Sequence, residues 1–178
     1  MSGNRRNTAN NTRRQLLDSF NSLVLNGKEG RITVADVVRE AGLGRSTFYD
    51  HYSSASDIHE QALSAPMTLL AEALLGVRNE DELAHLLAHF QENRARARQT
   101  LNGEQGERVQ KLLVSILESR LAIGPGNDLR SRRMTAIDLA AVPLALLRAW
   151  LAGTIHCDEA EMARHISTTS ATMRKVLW

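Results

Sequence analysis

Residues 32–58 read ITVADVVREAGLGRSTFYDHYSSASDI, and this stretch decides the fold. Thr33 is placed to cap a helix. Asp36, three residues on, completes a capping box in which Asp stands for the usual Glu. Ile32 and Val37 occupy the two positions of a hydrophobic staple. The helix is predicted over Val34–Ala41, and Gly42 stops it. Only Gly42, Leu43 and Gly44 separate it from a second short helix, predicted over residues 45–52. A three-residue turn containing glycine between two short helices is the helix-turn-helix signature.

Working outward, Leu16, Leu17, Phe20, Leu23 and Val24 share one face of a preceding helix, predicted from Thr12 or Arg13 to Leu25 and ended by Asn26-Gly27. On the other side Ser54 and Asp57 start a fourth helix, which Pro66 is expected to kink or break. Beyond it Asn79 and Glu82 cap a helix carrying Leu83, Leu86, Leu87 and Phe90. Another, from about Glu104, carries Val109, Leu112, Leu113, Ile116, Leu117 and Leu121, and Gly124-Pro125-Gly126 stops the chain after it. A helix over residues 135–152 is apolar nearly all round its middle, and a last one from about Asp158 places Met162, Ile166, Met173 and Val176 on one face. The fold class is therefore all-α. A head of residues 1–60, with a basic tail over residues 1–14, precedes a helical part over residues 61–178. The boundary falls inside the fourth helix.

Composition agrees. Of 178 residues 43% are apolar and 24% charged, ordinary for a soluble globular chain. The single cysteine, Cys157, excludes an intrachain disulfide and a multi-cysteine zinc site. No apolar run follows the first residues, so no secretory signal is expected. The longest uninterrupted apolar run, residues 139–147, is far short of the about 20 residues a membrane span needs. A cytoplasmic protein without a membrane partner is the expectation. Net charge is only +2, but the tail carries Arg5, Arg6, Arg13 and Arg14 with no acid. Such a tail can lie along phosphates; its other reading is a solvated terminus.

Within residues 32–58, Leu43, Phe48 and Tyr52, with Val37 and Ala41, can pin the two short helices at a fixed angle. That leaves Arg45, Ser46, Thr47, Tyr49, Asp50 and His51 uncovered, a set of donors and acceptors on a helix whose start can enter a major groove. Arg45 is able to contact a guanine bidentately, and Ser46 to read a base edge or a thymine methyl. Asp50 can accept from cytosine or repel a phosphate. The segment resembles the DNA-binding module of the TetR/AcrR family of bacterial transcriptional regulators. The resemblance is carried by Thr33-Val34, Val37, Ala41-Gly42-Leu43, Thr47-Phe48-Tyr49, His51-Tyr52 and Asp57-Ile58, and extends to Leu16-Leu17-Asp18. It implies that Thr33, Thr47, Tyr49 and His51 mainly touch phosphates, which position without specifying. The chain departs from the family at Ala55, where a phosphate-binding lysine is common, at Gly44, where a serine often caps, and over residues 28–31, which replace an aromatic. The N-terminal arginines are candidates to supply the missing phosphate contacts.

The last two helices are similar to the helix pair through which members of that family form a four-helix bundle with a second copy. A homodimer is therefore expected, with Leu139, Leu146, Leu147, Trp150, Ile166 and Met173 as its interface and the small residues 167–172 allowing close approach. An effector pocket would lie among residues 69–121, lined by Leu86, Phe90, Leu113 and Leu117, with His89 and Arg120 as polar groups. Its small-molecule effector is not legible.

Other chemistry is thinner. His85 and His89 have a zinc-compatible spacing without the metalloprotease glutamate between them. Gly27-Lys28 lacks the earlier glycine of a phosphate loop. Arg94, Arg96 and Arg98 are read as a solvated helix end or as partners of a helix C-terminus. No catalytic motif, cofactor or metal is implied. The leading expectation is a ligand-responsive repressor, binding a palindromic double-stranded operator as a homodimer. The alternative is a helical ligand- or metal-binding protein with a degenerate head, and a small helical enzyme using His85, His89 or His156 is the third.

Overall fold

The computed structural model describes residues 3–25, 32–121 and 129–177. The described residues form nine α-helices and no strand: α1 (Gly3–Leu25), α2 (Val34–Ala41), α3 (Arg45–Tyr49), α4 (Ala55–Leu74), α5 (Glu80–Glu92), α6 (Arg94–Leu101), α7 (Gly103–Arg120), α8 (Leu129–Ala152) and α9 (Glu159–Leu177). The chain divides into two compact units, Met1–Leu63 and Ser64–Trp178, and the division falls inside α4.

In the first unit α1 packs on α2 and α2 on α3. Leu16, Phe20, Ile32, Val37, Val38, Ala41, Phe48, Tyr52 and Ile58 make one buried cluster, as the apolar spacing requires. Helix α1 begins at Gly3, well before the expected Thr12. Once the turn at Leu16 is anchored, each further residue fixed adds a hydrogen bond, so the helix extends outward without a second nucleation. Pro66 does not end α4, which runs unbroken past it. Met67, Leu70, Ala71 and Leu74 are buried just beyond, and that packing offsets the missing N–H. The stops expected at Asn26-Gly27 and Gly124-Pro125-Gly126, and the polar stretch 28–31, lie outside the described residues.

The second unit pairs α5 with α9 and α7 with α8, with α6 between α7 and α8. Helix α6 was not anticipated: Asn93 (φ −109°, ψ 34°) breaks α5 from it without a glycine or proline. Of the three arginines on α6, Arg94 is employed and not simply solvated. Arg94 Nε donates to the Leu151 carbonyl at 2.7 Å, at the end of α8. In return Arg148 Nε on α8 donates to the Leu101 carbonyl at 2.8 Å, at the end of α6. Arg174 likewise donates to the Leu74 carbonyl at the end of α4. Each bond places a cation on the negative end of a helix and satisfies an orphan acceptor. Space is left for this by glycine: a Cβ on Gly153 (φ +85°) would lie 2.9 Å from Arg94 Nη2, and one on Gly76 (φ +75°) 2.7 Å from Arg174 Nη2.

Glu72, near the end of α4, is held by Arg120 of α7 at 2.6 Å and by Arg78 at 2.7 Å, and Arg78 also reaches Glu82 of α5 at 2.7 Å. The hydrogen bond from Arg120, then that from Arg78, keeps the Glu72 carboxyl below its ordinary pKa. A depressed folded-state pKa means stability that is present above the unfolded value and lost as pH falls through the folded one. Thermal melts across the acid range are expected to show Glu72→Gln approaching wild type as the pH drops below the ordinary carboxylate range. A constant difference at every pH would contradict this linkage.

Helix α8 over Arg130–Ala152 is long and apolar enough to cross a membrane (mean hydropathy 1.5), but half of that window is buried inside the protein. A core helix with one further apolar face accounts for it.

Candidate nucleic-acid interface

Helix α2 starts on the expected capping box. Asp36 N donates to Thr33 Oγ1 at 3.3 Å, and Thr33 N donates to Asp36 Oδ2 at 2.9 Å. The Thr33 hydroxyl donates to the same carboxylate at 2.6 Å. Both donors of Thr33 are therefore committed to Asp36, and a phosphate, which only accepts, would have to take one away. Arg39 closes the other oxygen of Asp36 at 2.9 Å. At its end Gly42 takes φ 64°, and its N–H and that of Leu43 satisfy the last carbonyls.

Helix α3 is one turn shorter than expected by its regular geometry, yet its bonding continues. Asp50 N donates to Ser46 O at 3.0 Å and Tyr52 N to Phe48 O at 2.9 Å. No side chain caps its start, because Gly44 stands at the cap. Phe48 is fully buried, with Tyr49 edge-on and Tyr52 tilted, each at 5.5 Å between ring centres. Phe48 and Tyr52 (4% exposed) thus seat the helix. Arg45, Ser46, Tyr49 and Asp50 are exposed, and Thr47 and His51 half-buried. Tyr49 is 58% exposed, a cost in apolar surface that packing does not explain. Helix α3 therefore presents a guanidinium, three hydroxyls, a carboxylate and an imidazole to solvent from a seat the core has fixed.

Helix α4 begins at Ala55, where the Ser54 hydroxyl accepts from Asp57 N at 3.2 Å. Asp57 accepts from Ser53 N at 2.9 Å and from the Ser54 hydroxyl at 2.7 Å. The Ser54 hydroxyl bond is the main reason its pKa is lowered.

One arrangement had no sequence signal. Gln61 Oε1 accepts from the Tyr52 hydroxyl at 2.8 Å and from Arg13 Nε at 3.0 Å. The Arg13 guanidinium carbon lies 5.5 Å from the centre of the Tyr52 ring. Arg14 instead lines a solvent-open groove with Asn11, Gln15, Asp18, Ser19, Ser22 and Glu40.

In the second unit the residues singled out from sequence are dispersed. Leu113 and Leu117 are fully buried, Leu86 is buried, Phe90 half-buried, and His89 is exposed beside Glu92 and Asn93. Arg120 belongs to the Glu72 clamp. His85 Nδ1 meets the Asp81 carbonyl of its own helix at 2.8 Å. Among the described residues no three His, Cys, Asp or Glu side chains gather as a metal site. Burial, then Glu161, Asp158 and Glu159, push the Cys157 thiol up, which leaves it protonated at neutral pH.

Of the expected interface set, Leu139, Leu147, Trp150 and Ile166 are buried within the single chain, which corrects their assignment to a surface. Trp150 also donates to the Cys157 carbonyl at 3.0 Å. Leu146 and Met173 are half-buried. The apolar residues that α8 does expose are Met134 (57%), Ile137 (40%) and Val142 (37%). With the exposed Ala145 and the half-buried Ala141 and Ala149 they lie on one side of the helix at helical spacing, and the exposed carboxylate of Asp138 sits among them.

No protein-family model and no curated protein sequence matches the chain. Among solved structures it is similar to a TetR transcriptional regulator from Streptococcus agalactiae 2603V, with a TM-score of 0.59 at 21% identity over 96% of this chain and 99% of that one. It is also similar to the dihydroxyacetone kinase operon activator DhaS, with a TM-score of 0.49 at 17% identity, over 93% and 97% of the two chains. An all-α protein with a helix-turn-helix head is thus the class defined by the helices themselves. More particularly, the fold is that of a TetR transcriptional regulator.

Proposed function

We propose that this protein is a cytoplasmic transcriptional regulator of the TetR type, binding a near-palindromic double-stranded operator as a homodimer. The observation that carries the reading is the contrast along α3. Phe48 is completely buried while its neighbour Tyr49 is 58% exposed, amid the uncovered Arg45, Ser46 and Asp50. A helix seated by one aromatic and offering the next to solvent, with hydrogen-bonding groups around it, suits a groove better than a core. Arg45 reads a base; Thr47, Tyr49 and His51 contact phosphates; Ser46 and Asp50 adjust base preference. Thr33 serves as the cap of α2, its donors being spent on Asp36.

The second copy sits on the side of α8 that carries Met134, Ile137, Ala141, Val142 and Ala145. Apolar residues at this spacing on an exposed helix face favour burial against another copy. The small-molecule effector acts by preferring the geometry that DNA does not, and the regulation proposed is repression, which ligand relieves. Enrichment of random duplex DNA by the purified protein tests the reading. A two-fold-symmetric motif is expected, and recovery of no motif by an intact dimer would defeat it in favour of a ligand-binding protein with a degenerate head.

A further inference from the structure

Between Arg45 and Arg78 the sequence contains no lysine or arginine. The end of the recognition segment and the start of α4 therefore have no cation of their own. Any cation at that edge must come from another helix, and α1 supplies one. Arg13 is exposed, its Nε donates to Gln61 Oε1 at 3.0 Å, and its guanidinium lies over the Tyr52 ring at 5.5 Å. Among the described residues its Nη atoms have no partner. Arg45 stands at the start of α3, and two further described cations of the head are placed differently. Arg39 is paired with Asp36, and Arg14 shares its groove with Asp18 and Glu40.

We propose that Arg13 is a phosphate contact, fixed in advance by Tyr52 and Gln61, and that Gln61 is its positioning residue. Arginine has no acceptor, so the oxygen of Gln61 must face it. The same oxygen takes the Tyr52 hydroxyl at 2.8 Å, so one acceptor ties α1 and α4 to the segment that follows α3. Anchoring through Nε leaves the Nη edge to donate to a phosphate oxygen, with less side-chain freedom to lose than a solvated arginine would have. The proposal rests on the DNA-binding reading above.

The test measures affinity for the enriched duplex by fluorescence anisotropy over a range of salt, in the full-length protein. Arg13→Ala is expected to weaken binding roughly tenfold, equally for matched and mismatched duplexes, and to reduce the salt slope by about one per protomer. Gln61→Leu is expected to weaken binding several-fold while the slope is retained, because the charge remains and only its placement is lost. Arg13→Lys keeps the slope as well. A salt slope unchanged in Arg13→Ala, with the fold intact by circular dichroism, would overturn the proposal and leave the regulator reading standing. A wild-type protein that prefers no sequence would defeat the regulator reading itself, and this proposal with it.

Discussion

Replacing Ile137 and Val142 together by glutamate is expected to turn the proposed dimer into a folded monomer and to lower affinity for the proposed operator by roughly 10²–10⁴-fold. The size of the loss follows from avidity. With two heads on one body, the second half-site binds at a high effective concentration, and a monomer forfeits that advantage. Two carboxylates on each side of a self-complementary interface would also be buried without partners and beside one another. Both residues are exposed in the single chain, at 40% and 37%, so the protomer itself should melt as the wild type does. Sedimentation velocity and anisotropy on one operator half-site and on two distinguish the outcomes. A variant that stays dimeric with unchanged affinity would place the second copy elsewhere.

The second large effect is expected in the head. Phe48→Ala should cost about 3–5 kcal/mol, the range for truncating a fully buried phenylalanine. Its ring touches both Tyr49 and Tyr52 and lies in the cluster that joins α1, α2 and α3, so the loss should unseat α3 and abolish DNA binding. Tyr49→Ala is the contrasting case. Stability should stay within about 0.5 kcal/mol because the side chain is largely solvated, whereas DNA affinity should fall. Urea denaturation beside anisotropy reads both quantities. If Tyr49→Ala destabilised the protein and spared binding, the exposed tyrosine would be a packing residue after all.

What the sequence disclosed was local. The boxes at Thr33 with Asp36 and at Asn79 with Glu82 are formed as expected, because partners three residues apart meet whenever a helix starts there. The glycine at position 42 adopts the left-handed conformation that a turn of that length needs. What escaped was long-range or turned on which of two apolar faces looks inward. The bond between Arg13 and Gln61 spans 48 residues and has no periodic signature. In α8 apolar residues lie on both the buried and the exposed side, and the larger side chains, Leu139, Leu147 and Trp150, went to the core. Apolar character alone therefore named side chains that the protomer's own core already covers. The break at Asn93 carried neither glycine nor proline, so α6 was read as the end of its predecessor. The candidate contact residues on α3 were legible for the opposite reason. Once Phe48 and Tyr52 are assigned to the core, the helical period leaves the others outside.

The central claim is that the exposed face of α3 reads base edges, with Arg45 as its principal reader. Enrichment of random duplex DNA by the wild-type protein and by Arg45→Ala, run side by side at one salt concentration, tests it most directly. The account predicts a two-fold-symmetric motif for the wild type. The variant should recover that motif with the preference lost at one base pair in each half-site, a change worth about 1–3 kcal/mol per contact. An Arg45→Ala motif identical to that of the wild type would contradict it.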